Sequence, residues 1–172
     1  MVVIRSARLS DAGEVYKLSC DLNISRDSKK PSGFVEYPDI GVSGFRERIK
    51  RNPHFLVAEE DGRLIGFVSG FTHSRLAKLD SFKGDEIASH LLSKYPAFLY
   101  IDQLAVHPDF QRSKVAMRLG QELLSKTKRT LFSAVATHPH DNIPSRSLLE
   151  ASGFSKSHDL DAYGLKFAIY KK

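Results

Sequence analysis

The stretch Tyr100–Leu124, YIDQLAVHPDFQRSKVAMRLGQELL, decides how the rest of the chain is read. It begins inside the apolar run Phe98–His107 (FLYIDQLAVH), whose composition and length read as a strand. His107-Pro108-Asp109 ends that strand. A helix is expected from about Ser113 to Lys128, with Val115, Ala116, Leu119, Leu123 and Thr127 along one stripe. Leu131–Thr137 reads as the next strand. Strand, helix and strand in succession make a βαβ unit, in which the strands are parallel and the crossover is right-handed. Such units settle anions where a strand ends and a helix begins, because the first amides of the helix lack partners and sit at the positive end of its dipole. From Gln111 to Arg129 six basic residues stand against the single acid Glu122, a net +5 out of +6 for the whole chain. On charge alone that is a solvated helix face. The strand and loop in front of it point instead to a phosphate-bearing ligand.

Working outward, Val2–Arg5 is a short strand, and Ser10-Asp11 with Glu14 caps a helix over Asp11–Asp21. Asn23–Asp39 is polar, with Pro31, Gly33 and Pro38, and reads as a long loop. A charged amphipathic helix over Val42–Arg51 stops at Asn52-Pro53. His54–Glu60 and Arg63–His73 are strands joined by Asp61-Gly62, a strong hairpin signal. Ser74–Pro96 is weaker, with a short helix expected over Glu86–Lys94. Asn142 caps a helix to Ser152 with Gly153 just beyond it, and Phe154–Ser157 and Leu165–Lys171 close the chain as strands. The order β α α β β β α β α β β is that of one mixed α/β (α+β) domain over residues 1–172.

Composition narrows the function classes. The chain has 172 residues, 41% hydrophobic and 27% charged, as expected of a soluble globular protein. No apolar run approaches the roughly 18–20 residues needed to span a membrane. Met1–Arg5 has no secretory character, so the expected location is the cytoplasm. Cys20, alone, makes neither an internal disulfide nor a multi-cysteine zinc site, and its mid-helix position reads as a packed or inert thiol. The excess of 26 Lys and Arg over 20 Asp and Glu fits nucleic acid, a membrane surface or a phosphate-bearing small molecule.

Leu104-Ala105-Val106-His107-Pro108-Asp109-Phe110-Gln111, followed by Ala116, resembles the signature of the GNAT superfamily, the Gcn5-related N-acetyltransferases. Lys114 stands where that signature has its first glycine. A second family motif, an Asn followed by a helix ending in Gly-Phe, is matched by Asn142 through Gly153-Phe154. With the order of elements, the resemblance covers nearly the whole chain. It implies a mixed central sheet of about six to seven strands with helices on both faces, and a splay between Phe98–His107 and Leu131–Thr137. It implies acetyl-CoA as co-substrate, with the pantetheine arm on the backbone of Leu104, Ala105 and Val106. Gln111 belongs to the signature, and the pyrophosphate would sit on the amides of Arg112, Ser113, Lys114, Val115, Ala116 and Met117. Asn142 and Ser145 match positions that touch pantetheine or the adenine-side phosphates. Glycine permits the closest backbone approach, so Lys114 needs a negative φ or a side chain that swings clear.

Tyr100 and Asp102 match family positions of a base or a substrate-orienting group. A strand's period of two puts both on one face with Leu104 and Val106. For Asp102 the competing reading is a carboxylate paired with a nearby Arg; for Tyr100, a packed aromatic. Leu149 stands where many relatives carry a Tyr that protonates the leaving thiolate. The implied activity is acetyl transfer to a primary amine by direct attack, with no metal and no membrane partner. The acceptor is a small molecule, a lysine or a protein N-terminus, and a homodimer is allowed. Alternatives are a degenerate CoA-binding protein, supported by Lys114 and Leu149, and, last, a nucleic-acid module, which lacks any recognisable motif or aromatic platform. His138-Pro139-His140-Asp141 has the look of metal ligands without a fourth partner nearby, and reads as a loop near the acceptor. Phe34, Tyr37, Phe82 and Tyr95 are expected either to wall the acceptor pocket or to be satellites of the core.

Overall fold

The computed structural model describes all 172 residues. The elements are β1 (Val3–Ser6), α1 (Ala12–Asp21), β2 (Asn23–Ile24), β3 (Phe34–Val35), α2 (Gly41–Ile49), β4 (Phe55–Glu60) and β5 (Arg63–Thr72). Then come α3 (His73–Lys78), α4 (Glu86–Lys94), β6 (Leu99–Val106), α5 (Val115–Ser125), β7 (Leu131–His138), α6 (Ile143–Ala151), β8 (Ser155–Ala162) and β9 (Leu165–Lys171). Seven strands make one mixed sheet in the order β1-β4-β5-β6-β7-β9-β8, and β2 and β3 pair separately. Only β6 and β7 are parallel within the large sheet, as the crossover through α5 requires.

Several elements depart from expectation, among them the short paired strands β2 and β3 inside the stretch read as a loop. Helix α3 arises in the weak stretch after β5. Strand β8 continues past Ser157 to Ala162 because it is an edge strand: SKSHDLDA is mostly solvent-facing and carries no apolar alternation to read. Helix α5 starts at Val115 rather than near Ser113, because Arg112 and Lys114 both take positive φ (74° and 64°) and the helical path begins only after them.

Each face of the sheet buries its own core. On one face, α1 to α4 set Val15, Leu18, Phe45, Ile49, Leu76 and Leu91 against Phe55, Phe67, Phe71, Phe98 and Tyr100. On the other, Val115, Leu119 and Leu123 of α5 cover Leu56, Ile65, Val68, Leu99 and Ile101. Fully burying one such side chain stabilises by about 1.5–3 kcal/mol. Gly66 leaves room for α5 and β6 alike: a Cβ there would meet the Ala105 carbonyl oxygen of β6 at 2.8 Å and Leu119 and Val115 of α5 at 3.3 and 3.4 Å.

Strand β6 carries a bulge. Ser69 pairs with Gln103 and the next pair is Gly70 with Ile101, so Asp102 is an extra residue on the β6 side. Alternation therefore changes phase. Phe98 and Tyr100 face the α1–α4 layer, and beyond the bulge so do Gln103, bonded to Ser19 Oγ at 2.9 Å, and Ala105. Leu99, Ile101, Leu104 and Val106 all face the α5 layer. The expectation that Tyr100, Asp102, Leu104 and Val106 share a face is thus corrected.

Candidate active site

Strands β6 and β7 pair only from Leu99–Leu131 to Ile101–Ser133 and then part. Ser133 Oγ donates to the Ile101 carbonyl at 3.2 Å at the fork. His107 N–H donates to the Ile65 carbonyl at 2.8 Å, so by antiparallel alternation the polar groups of Leu104 and Val106 turn away from β5 into the fork. A strand edge thus lines the gap, with the Val106 carbonyl accepting from Gln111 Nε2 at 3.4 Å. The gap continues into a cleft of two joined cavities, about 280 and 590 Å³, that share Leu104, Ala116, Asn142 and Ser145.

The larger cavity is the loop-and-helix end. Val106, Gln111, Arg112, Lys114, Val115 and Met117 line it. The amides of Arg112 and of Lys114 through Met117 have no backbone partner, as the start of a helix dictates. Lys114 does not adopt a negative φ; its backbone is left-handed, and its exposed side chain is among those lining this cavity. Arg112 and Lys114 enter no ion pair, unlike Lys126, which meets Glu122. Asn142 accepts from the Ser145 amide at 3.2 Å and donates to the Gly33 carbonyl at 3.3 Å. His140 Nε2 meets the Lys30 carbonyl at 2.7 Å, so the segment between β2 and β3 is tied over this end. Two residues of the expected set stand apart. Ala105 is buried with its carbonyl against Gly66, and Ser113 spends its hydroxyl on the Phe110 carbonyl.

The smaller cavity reaches the bulge. Tyr37, Tyr100, Asp102, Asp85, Ile87, Tyr163 and Phe167 line it, and its only charged lining residues are Glu36, Asp85 and Asp102. Asp102 is not free. Its Oδ2 accepts from Tyr37 Oη at 2.5 Å and from Arg48 Nη1 at 3.0 Å. Arg48, 1% exposed, also donates to Tyr37 Oη, to Ser81 Oγ at 2.9 Å and to the Ser81 carbonyl at 3.3 Å, and lies 3.9 Å above the Phe82 ring. Burial pushes the Asp102 carboxyl up, while the Arg48 guanidinium and the Tyr37 hydroxyl pull it back. The Tyr37 hydroxyl is held well up by burial and by Asp102, so it stays protonated and donates. Burial and the same carboxylate also raise Tyr100.

Asp102 is paired with an arginine, the competing reading expected for it, but Arg48 itself was not singled out in the sequence. The signal was there: Arg48 falls three residues after Phe45 and beside Ile49, on the buried stripe of α2. Asp85 and Tyr163 were also missed, one being the N-cap of α4 and the other sitting in the β8–β9 turn. Of the four aromatics considered for the pocket, Phe34 and Tyr37 line it. Phe82 lies under Arg48, and Tyr95 stacks beside Phe132 at 4.3 Å. Leu149 lines the cavity as an aliphatic residue. Cys20 is exposed, not packed. No group of three or more His, Cys, Asp or Glu is placed to hold a metal, and no helix is long and apolar enough to cross a membrane.

Residues 22–154 match the family model described as Acetyltransferase (GNAT) family. No curated protein matches the sequence. Among solved structures, the fold is similar to an N-acetyltransferase from Staphylococcus aureus Mu50 at TM-score 0.68 and 15% identity, covering 99% of this chain and 100% of that one. It is similar to Arabidopsis thaliana NAA60 in complex with a bisubstrate analogue at TM-score 0.67 and 17% identity, covering 100% and 97%. Arabidopsis thaliana Naa50 in complex with the bisubstrate analogue CoA-Ac-MVNAL matches at TM-score 0.65 and 14% identity, covering 99% and 97%.

Proposed function

Because this chain belongs to the acetyltransferase (GNAT) family, we propose that it transfers the acetyl group of acetyl-CoA to a primary amine by direct attack in a ternary complex. The observation that carries this reading is the parting of β6 from β7 after Ile101 and Ser133, which leaves one continuous cleft from the unpartnered amides to Asp102. The amides of Arg112 and of Lys114 to Met117 fit a pyrophosphate, with Arg112 and Lys114 adding charge. The edge at Leu104 and the Val106 amide fits the amides of a pantetheine arm, which adds to the sheet as a strand does, with Gln111 held at the Val106 carbonyl beside it.

The chemistry follows from the groups at the fork. The amine must attack as the free base, and its pKa of about 10.4 for a lysine-like amine makes a proton acceptor useful. Its nitrogen lone pair forms the new C–N bond at the thioester carbonyl, and the C–S bond then breaks. Asp102 takes the amine's proton directly or through a water, and Tyr100 helps place the acceptor. Arg48 and Tyr37 fix one carboxylate oxygen, which orients the other. A thiolate of pKa about 8.5 leaves without full protonation, so Leu149 does not forbid turnover. Leu149 is also the observation that favours a second reading, a CoA-binding protein without catalysis.

The test is thiol release from acetyl-CoA across a panel of amines, run beside calorimetric titration with CoA. Turnover together with binding is expected. Binding without turnover selects the second reading, and absence of binding refutes both.

A further inference from the structure

The acceptor cavity is charged in one sense only. No Lys, Arg or His lines it, although the chain as a whole carries +6. Its three carboxylates are not equivalent. Glu36 is bound by Arg26 at 2.6 Å and Asp102 by Arg48 at 3.0 Å, which leaves Asp85 as the one cavity carboxylate outside an ion pair. One oxygen of Asp85 caps α4, accepting from the Ala88 amide at 2.7 Å. Around it stand aromatic faces and hydroxyls. Tyr163 is locked beside Asp85 by reciprocal bonds with Glu86, its Oη accepting from the Glu86 amide and its own amide donating to Glu86 Oε2, both at 3.0 Å. Tyr100 is only 3% exposed, lines the same cavity, and turns its hydroxyl toward the Asp102 carboxylate. Tyrosine faces beside a carboxylate that no cation contacts are what recognises an ammonium out of bulk water.

We propose that the acceptor is a compact diamine whose second, protonated nitrogen is held by Asp85 with Tyr163 and Tyr100, while its first nitrogen reacts at the fork beside Asp102. Asp85 is then a specificity-determining residue. The proposal rests on the reading of the chain as an amine acetyltransferase, and it deepens that reading by giving the acceptor a second charge. The field of Asp85 is already felt by its neighbours: burial first, and then this carboxylate, holds the Tyr163 hydroxyl up. The apolar lining from Ile87, Ala134 and Phe167 suits the methylene chain between the nitrogens and disfavours an anionic acceptor.

The experiment compares diaminobutane with butylamine in the thiol-release assay. The expected kcat/KM ratio favours the diamine by about tenfold or more, the size of one charge-assisted hydrogen bond. Asp85→Asn keeps a good helix cap and removes the charge. It is expected to bring that ratio toward one by raising KM for the diamine, and Asp85→Glu to retain part of it. A parent protein without preference for the diamine overturns the proposal, as does an Asp85→Asn variant that keeps the full preference. Where no amine turns over, the activity reading fails on its own, and calorimetry of the CoA-loaded protein decides this one. Diaminobutane binding that Asp85→Asn weakens about tenfold supports the proposal; no binding by the parent overturns it.

Discussion

The two ends of the cleft solve opposite problems with opposite materials. The end at α5 presents backbone: amides without partners, a left-handed loop at Arg112 and Lys114, and exposed cations in no ion pair. The end at the bulge presents side chains: buried tyrosines and three carboxylates, two of them neutralised by arginines. A backbone cradle is cheap to build, since every helix start supplies one, but it distinguishes little beyond negative charge. A buried side-chain cluster demands satisfied hydrogen bonds and paired charge, and in return it selects by position. Substitutions at the two ends should therefore fail in different ways.

The largest effect is expected at Asp102. Asp102→Asn should lower kcat by about 10²–10⁴ with CoA affinity nearly unchanged. Because burial holds the Asp102 carboxyl above its ordinary value, the loss of rate on the acid side should begin above the usual carboxylate range. That limb should vanish in the variant, and a pH profile of single-turnover rates reads both. Normal turnover in Asp102→Asn would reduce the carboxylate to the partner of Arg48.

Next comes Arg48, where the acceptor end is tied to the fold. Arg48→Met strands a buried carboxylate and should cost about 3–5 kcal/mol in urea unfolding. Adding Asp102→Asn to it should recover much of that loss. If Arg48→Met unfolds like the parent, the pair is not a structural anchor and the contrast between the ends weakens.

Lys114 should matter less, and only for binding. Lys114→Ala is expected to weaken acetyl-CoA binding by about tenfold and flatten its salt dependence, measured calorimetrically at two ionic strengths. The smallest effect separates charge from backbone. Lys114→Gly should bind as weakly as Lys114→Ala, yet change folding stability by no more than about 1 kcal/mol, since relief of a left-handed φ is offset by glycine's entropy. If Lys114→Gly instead binds much more tightly than the parent, the lysine obstructs the cradle, and the non-catalytic reading gains.

The fold was legible because its signals are local and periodic: the β6–α5–β7 unit, the Asp61-Gly62 hairpin and the Asn142 cap were all visible in sequence, and the cap is observed. The cradle end was legible for the same reason, since consecutive residues build it. The acceptor end was not. It joins Tyr37, Arg48, Asp85, Asp102 and Tyr163 from five separate segments, and only packing brings them together. The phase change in β6 was also hidden, because FLYIDQLAVH alternates plausibly with or without an extra residue. What was visible of Asp102 was its type, its place and its aptness for an arginine partner, not which arginine holds it.

The bulge has a consequence for how this strand tolerates change. Asp102 is the carboxylate at the fork and, as the extra residue, is skipped by the pairing of β6 with β5. Gln103 follows Ile101 in register, so removing Asp102 would leave Gln103, Leu104 and Val106 in the layers they already occupy. The acid thus stands outside the count that assigns side chains to the two faces of the sheet. Its loss would strip Arg48 of a buried partner while leaving the register of the rest of the strand intact.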